Sequence, residues 1–438
     1  MKAHTIRRLI VPVVLSGFSL MPAVAYGQSG LSADQPGSAI TSDPVDPSNA
    51  VDLIEKRRSQ RDSLFGVSPL ESWHVAADKS KENLSRKYHF KPGLMINHLF
   101  QGLSKALPDN DKAGTATDMD IVGTWELTDR GKPNRGNLYF KIQGRWDWGT
   151  TGPQNLGFVS LASQIGTANT FSAYTPTFLL RNLYWDQGSK KAGWAYRVGK
   201  ISTDATLATS RHISPVTTFL PNGGTGLFVS GYPDSGLGAV GVWYPTDRYR
   251  ILGLVSDSNG NRYDWGDITA GDFYKAIEFG AQIAPRTEKA GYSKFTFWHS
   301  DGTKDGKPIN ASTGKEGYGM TVKLDQELSD DGKIVGVARW GKTWKKAALY
   351  DDQAALHLLV YDPPGPAGLQ NDLLGFAANW AQASAEGARG EYNLEAFYRV
   401  PFFTGLDTTF SYQYVINPAL TREIDRASVY SLRFRAVF

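Results

Sequence analysis

The sequence predicts an all-β protein, a transmembrane antiparallel β-barrel of about 16 strands with a short N-terminal helical segment. Three observations support this fold class. Apolar and polar residues alternate over runs of roughly ten residues, the length of a tilted membrane strand, whereas strands of soluble sandwiches usually have about 5–6. The chain begins with a stretch typical of an export signal, and it ends on an alternating strand whose last residue is Phe438.

The composition excludes several classes of protein. The chain has 438 residues, of which 46 are Gly and 12% are aromatic, and this enrichment suits an extended β protein. It has no Cys, which excludes a disulfide scaffold, a thiolate metal site and a Cys nucleophile. The formal net charge is +4, and no cluster of basic residues indicates a nucleic-acid partner.

Residues 1–27 are predicted to be a secretory signal peptide. Lys2, Arg7 and Arg8 precede a mostly apolar stretch, Leu9–Leu20, and small residues suited to cleavage follow at 23–27. A short membrane anchor is the alternative, but Pro12 interrupts the apolar stretch. No later stretch offers the ~20 apolar residues of a membrane helix. We therefore expect signal-peptide-directed export to the bacterial outer membrane.

Residues 28–89 are predicted to be a disordered lead-in followed by an N-terminal helical segment, and residues 90–438 the barrel. Gln28–Ser48 is rich in Ser, Pro, Gly and Asp, which is typical of disorder. Asn49–Leu64 has the composition of a charged helix. The charge-free run Trp148–Leu180 reads as a loop rather than a membrane segment.

Alternation assigns one face of each strand to the lumen. A polar solute in a lumen is bound by hydrogen-bonding groups and, on any apolar face, by aromatic rings, and Arg presents five donors in a rigid fork. Trp298 is a possible stacking platform, or else part of an interfacial girdle. The charged residues have a second interpretation, in which they pair across neighbouring strands and only stabilise the wall. The inward-facing charged candidates are Lys141, Arg145, Arg197, Glu278, Lys323, Arg339, Glu391, Glu395, Arg399, Arg433 and Arg435.

The C-terminal strand carries a separate signal. Apolar or aromatic residues occupy every second position, a pattern similar to the assembly signal that barrel-insertion machinery reads in outer-membrane proteins. An ordinary edge strand that happens to end the chain is the alternative. The residues of the predicted signal are Tyr430, Leu432, Phe434 and Phe438.

Several motifs resemble those of the carbohydrate-selective porin family, the OprB type. The strand Tyr412-Gln-Tyr-Val-Ile-Asn-Pro418 and the final strand from Leu432 to Phe438 are the most specific. Weaker matches are Arg197-Val-Gly-Lys200 with Asp204, Ala338-Arg339-Trp340, and the segment from Gln370 to Phe376. The resemblance covers roughly residues 90–438. It implies a porin through which small sugars diffuse passively, with no cofactor and no catalytic step.

Alternatives and partners complete the expectations. A general or anion-leaning porin is the alternative among channels, and a barrel enzyme acting on lipid or polysaccharide is the alternative from another class. His212 with Ser214, and His299 with Ser300, match no catalytic motif. The Asp-rich turns at 301–305 and 325–331 read as solvated turns rather than metal sites. We expect outer-membrane lipid and the insertion machinery as partners, and a monomer or a trimer.

Overall fold

A computed structural model describes residues 63–66, 69, 71–157, 171–207, 209–287, 290–364 and 372–438. These residues form a closed barrel of 16 strands, β1–β16, in which each strand pairs with its sequence neighbour and β16 pairs with β1. All pairings are antiparallel. The predicted fold class and strand number are confirmed. The signal peptide, the lead-in and most of the predicted helix Asn49–Leu64 lie outside the described residues.

The strands alternate in direction around the barrel, so that successive connections lie at opposite ends. The first eight are β1 Phe90–Leu103, β2 Ala113–Thr128, β3 Gly136–Asp147, β4 Phe178–Ser189, β5 Trp194–Ile201, β6 Gly236–Thr246, β7 Tyr249–Asp257 and β8 Phe273–Ala281. The others are β9 Ser293–Ser300, β10 Gly317–Glu327, β11 Ile334–Trp344, β12 Tyr350–Tyr361, β13 Leu373–Ala383, β14 Gly390–Phe403, β15 Leu406–Ile416 and β16 Arg426–Val437.

Alternation along the strands places apolar side chains outside and most charged side chains inside, as expected. On β16, Tyr430 is 58% exposed on the outer face, whereas Arg433 is 1% exposed on the inner face. The barrel closes where β16 meets β1, with Asn97 opposite Arg435. Phe438 continues this pairing, because its backbone N–H donates to Leu94 O at 2.8 Å and its carbonyl accepts from Leu94 N at 3.0 Å.

The two ends of the barrel differ in the length of their connections. At one end, which we call the short-turn end, β6 and β7 are joined by residues 247–248 and β14 and β15 by residues 404–405. At the opposite, long-loop end, residues 148–177 join β3 to β4 and residues 202–235 join β5 to β6. In barrels of this kind the longer loops lie on the extracellular side.

A helix lies at the short-turn end, within residues 28–89, where the sequence predicts an N-terminal helical segment. Helix α1 spans Glu71–Tyr88, C-terminal to Asn49–Leu64, most of which lies outside the described residues. Glu71 in its first turn and basic residues in its last turn suit the helix dipole. Its His74 ring lies 4.8 Å from the Phe438 ring. None of the helices described combines the length and the apolar character needed to cross a membrane.

The inner wall is less polar than the sequence predicts. Val242, Leu252 and Leu254 point inward and are at most 5% exposed, although they belong to membrane strands. They form one apolar cluster with Phe228 and Tyr232 of the connection between β5 and β6. Inward-facing apolar residues are tolerated here because a loop, rather than water, covers them.

Candidate functional site

The connection between β5 and β6 folds into the barrel and forms the main feature of the lumen. We call residues 202–207 and 209–235 the inner loop. It contains a short helix, α2, at Asn222–Thr225 and a 3-10 turn at Phe228–Ser230, and most of its residues are buried. A loop buried in this way must find hydrogen-bond partners for its backbone groups. The inward side chains of the barrel wall supply many of these partners.

Basic side chains of the wall donate to carbonyl groups of the inner loop. Arg339 Nη1 donates to Gly224 O at 3.1 Å and to Thr225 O at 2.8 Å. Arg433 donates through Nη1 to Pro215 O and through Nη2 to Thr218 O, both at 2.8 Å. Each guanidinium therefore holds two carbonyls with its rigid fork of donors. The same pattern occurs at Arg399, which donates to Thr217 O at 2.8 Å, and at Lys294 and Lys323, which donate to Thr209 O at 2.8 and 2.9 Å.

Carboxylate and amide side chains complete the attachment. Glu395 on β14 accepts the backbone N–H of Leu220 at 3.1 Å, and it also accepts from Ser411 Oγ at 2.6 Å. Gln353 on β12 donates to Gly223 O at 2.5 Å and to Gly226 O at 2.9 Å. The wall from β9 to β16 thus matches both the donors and the acceptors of the inner loop.

Apolar contacts fix the inner loop against the same wall. The Phe219 ring makes edge contacts with His357 at 4.7 Å and with Phe397 at 4.9 Å between centroids. Gly231 has a φ of 52° and its α-carbon lies so close to the Trp298 ring that an added Cβ would be 2.9 Å from it. Trp298 therefore faces inward, as one interpretation of the sequence predicted, but it is 3% exposed beneath the inner loop. Its role as a sugar platform stays a prediction.

Asp234 fixes the end of the inner loop that leads into β6. Its carboxylate pairs with Arg181 on β4 and with Arg262 Nε at 2.5 Å. Burial acts to raise the pKa of the Asp234 carboxyl, but the two guanidinium groups outweigh burial and lower the pKa to about 2. Arg262 belongs to the connection between β7 and β8, so a single carboxylate ties two loops to the wall.

We expect Asp234 to stabilise the folded barrel at neutral pH but not in strong acid. Because its pKa is lower in the folded state, the stabilisation is complete above the ordinary carboxyl pKa of 3.8 and is lost as the pH falls through about 2. A shift of this size corresponds to about 2–3 kcal/mol. Asp234→Asn should therefore melt at a lower temperature than the wild type at pH 7. The difference should disappear near pH 2, and a constant difference would contradict the assignment.

Among the described residues, some charged side chains of the inner loop and the wall are only partly buried. Asp204 and Arg211 of the inner loop are exposed and half-buried, respectively, and Lys141 on β3 and Arg399 on β14 are half-buried. Of this set the sequence predicted Lys141 and Arg399 as lumen residues. It missed Asp204 and Arg211, although Asp204 belongs to the motif that begins at Arg197.

The remaining predicted lumen residues are buried in contacts within the wall or with loops. Arg145 donates to Asp118 at 2.8 Å and its guanidinium lies 4.7 Å from the Tyr174 ring centroid. Arg197 lies 4.0 Å from the Tyr184 ring centroid. The others are also occupied by protein atoms, with Glu391 accepting from Ala419 N at 2.8 Å and Arg435 Nη2 lying 3.1 Å from Met95 Sδ. A direct role of these residues in contacting solute stays a prediction.

The histidines that the sequence raised as catalytic candidates lie in polar contacts. His212 Nδ1 is 2.8 Å from the Tyr361 hydroxyl, and His299 Nδ1 is 3.4 Å from Asp301 Oδ1. Within the described ranges, no group of three or more His, Asp or Glu side chains is arranged to hold a metal ion.

Comparison with known proteins gives one family and several barrels of similar shape. The family model described as "Carbohydrate-selective porin, OprB family" matches residues 149–438. The high-pH structure of Pseudomonas putida OprB has 14% identity and a TM-score of 0.66, with 83% of this chain and 97% of that chain covered. The low-pH structure of the same protein has 12% identity and a TM-score of 0.51, with 83% and 96% covered. The search of curated proteins found no match.

Proposed function

Because this chain belongs to the carbohydrate-selective porin, OprB family, we propose which path sugars take as they diffuse passively through the lumen. We also propose which side chains along this path select them. The protein is a channel of the bacterial outer membrane. Export through the predicted signal peptide at residues 1–27, and contact with the insertion machinery, are part of the same proposal.

The proposal depends on the position of the inner loop inside the barrel. It covers the wall from β9 to β16 and engages Arg339 and Arg433 through its carbonyl groups. We propose that solute passes along the side of the inner loop that carries Asp204 and Arg211, beside Lys141 on β3. We propose that Arg339, Arg399 and Arg433 are positioning residues that hold the inner loop, and that the sugar meets Asp204, Arg211 and Lys141.

These side chains suit an uncharged, hydroxyl-rich solute. Each sugar hydroxyl both donates and accepts a hydrogen bond, and the path offers an acceptor in Asp204 and donors in Arg211 and Lys141. Opposite charges along one path favour such dipolar solutes over ions of a single sign. Binding must also be weak for passage to be fast, which agrees with the half-buried state of the side chains.

An anion-leaning porin is the second candidate. Among the three side chains that we propose the sugar meets, Lys141 and Arg211 are cationic and Asp204 is acidic. Such an excess of positive charge attracts small anions. The two candidates predict different results when one of the cations is removed.

Arg211→Gln distinguishes the candidates in a liposome flux assay with glucose and a sulfonate of similar size. If Arg211 contacts sugar, glucose flux at low concentration should fall by roughly 10-fold or more, because a hydrogen bond to a charged group is worth about 1.5–3 kcal/mol. If the pore is anion-leaning, sulfonate flux should fall and glucose flux should not. Arg248→Gln, an exposed residue at the short-turn end, is the matched control.

A further inference from the structure

A second cavity lies at the long-loop end, apart from the path beside the inner loop. Its volume is about 510 Å³, within the range of roughly 300–1,000 Å³ usual for small-molecule sites. Its walls come from three adjacent strands and from the connections above them. The residues used below are Tyr350 on β12, Ala381 and Ala383 on β13, Glu391 on β14 and Leu420 of the connection between β15 and β16.

The cavity lies on the outer side of the inner loop. Gln353 lies on β12 closer to the short-turn end than Tyr350, and it donates to the carbonyls of Gly223 and Gly226. Gly224 of the inner loop packs against Asn379, which lies on the neighbouring strand β13. An added Cβ on Gly224 would lie 2.8 Å from Asn379 Oδ1. Helix α2 therefore packs on the wall next to the cavity, on its short-turn side. A solute that enters from the long-loop end reaches the cavity before it reaches the inner loop.

A polar atom in the cavity wall lacks a partner. The Tyr350 side chain is 3% exposed, and its hydroxyl makes no hydrogen bond within the part of the chain that the structure describes. Leaving a buried hydroxyl unpaired is unfavourable, so a ligand hydroxyl that pairs with it would be stabilised. Glu391, which also lines the cavity, is 1% exposed and accepts from Ala419 N at 2.8 Å.

The rest of the lining indicates an uncharged ligand. Two lysines, Lys315 and Lys346, balance two glutamates, Glu386 and Glu391, and Lys346 is already paired with Asp351. Alanine and leucine side chains, including Ala381, Ala383 and Leu420, form most of the remaining surface, and Thr313 and Ser384 add hydroxyl groups. Such apolar patches suit the C–H faces of a pyranose ring, while the hydroxyl and carboxylate groups suit its edge.

We propose that this cavity is an outer sugar site, which binds an uncharged sugar of one or two pyranose rings before it reaches the inner loop. Tyr350 and Glu391 bind the ring hydroxyl groups, and Ala381, Ala383 and Leu420 contact the ring faces. The inference rests on the proposed function, because it assumes that sugars pass through this barrel.

Maltose-dependent block of single-channel ion current tests the site. Tyr350→Phe removes only the hydroxyl, and it should raise the half-saturating maltose concentration by about 2- to 10-fold, the equivalent of one hydrogen bond. Ala383→Phe fills the cavity and should abolish saturable block. The control is Ala378→Phe, because Ala378 lies on the exposed outer face of the same strand and the change leaves the cavity intact.

The outcomes separate this inference from the proposed function. If the wild type shows no sugar flux in liposomes, the proposed function fails. If sugar flux is intact but neither Tyr350→Phe nor Ala383→Phe changes the half-saturating concentration, the outer site is overturned and the channel remains. Equal effects of Ala378→Phe and Ala383→Phe would show a general disturbance of β13, and would also overturn it.

Discussion

The double variant Arg339→Ala, Arg433→Ala should have a severalfold larger single-channel conductance than the wild type and should discriminate less between solutes. The two guanidinium groups hold four inner-loop carbonyls, those of Pro215, Thr218, Gly224 and Thr225. A hydrogen bond from a charged donor is worth about 1.5–3 kcal/mol, so the loss of four is large beside the stability of a loop. The inner loop should leave the wall and open the lumen.

The measurement is conductance in planar bilayers, with the sugar and sulfonate fluxes measured in parallel. Arg130→Ala, Arg248→Ala is the matched control, since both residues are exposed in connections at the short-turn end and the variant also loses two positive charges. An unchanged conductance in the Arg339, Arg433 variant would contradict the positioning role.

A steric variant tests the attachment of the inner loop to the wall without removing charge. Gly341 on β11 lies against the inner loop, and an added Cβ there would be 2.3 Å from Val229 Cγ2. Gly341→Leu should therefore displace the inner loop and raise the conductance in the same direction as the double variant. Gly253→Leu, where an added Cβ has no atom within 4 Å, should leave the conductance at the wild-type value.

Phe438→Ala should strongly reduce the amount of heat-modifiable barrel in the outer membrane, while the purified protein still refolds in detergent. The Phe438 ring contacts His74 at 4.8 Å and is half-buried, so its loss should cost the folded barrel only about 1 kcal/mol. The backbone pairing with Leu94 does not require the ring. A large effect in cells with a small effect in vitro is what an assembly signal requires.

The matched control for Phe438→Ala is Phe410→Ala, because Phe410 is another outward-facing phenylalanine, 52% exposed on β15. If both variants assemble equally well, the terminal residue carries no special signal. If Phe438→Ala fails to refold in detergent as well, the residue acts through the stability of the barrel rather than through recognition.

The outer sugar site and the inner loop together describe a path in two stages. The cavity beside Tyr350 lies on the long-loop side of α2, and the charged groups Asp204 and Arg211 lie on the inner loop itself. Weak contacts in series allow a solute to be selected without being retained, which fast conduction requires. The arginines that pack against the inner loop define the width of the path.

The sequence determined the barrel and the face on which each strand residue lies. A strand has a side-chain period of two, so the alternation of Tyr430 with Arg433 and Arg435 already separates the outer from the inner face. The closed 16-strand topology agrees with the predicted strand number. The sequence did not locate helix α1, because this helix has no buried residue and therefore lacks the apolar stripe that identifies a helix in a sequence.

Only the tertiary structure decided which inward-facing residues are free to meet a solute. Arg433 and Arg399 both alternate inward, yet Arg433 is 1% exposed beneath the inner loop and Arg399 is half-buried beside the path. The bond from Arg433 to Pro215 joins positions 218 residues apart. Periodicity is a local property of the chain and predicts the direction of a side chain, whereas the packing of a loop inside the barrel depends on distant residues that meet only after closure.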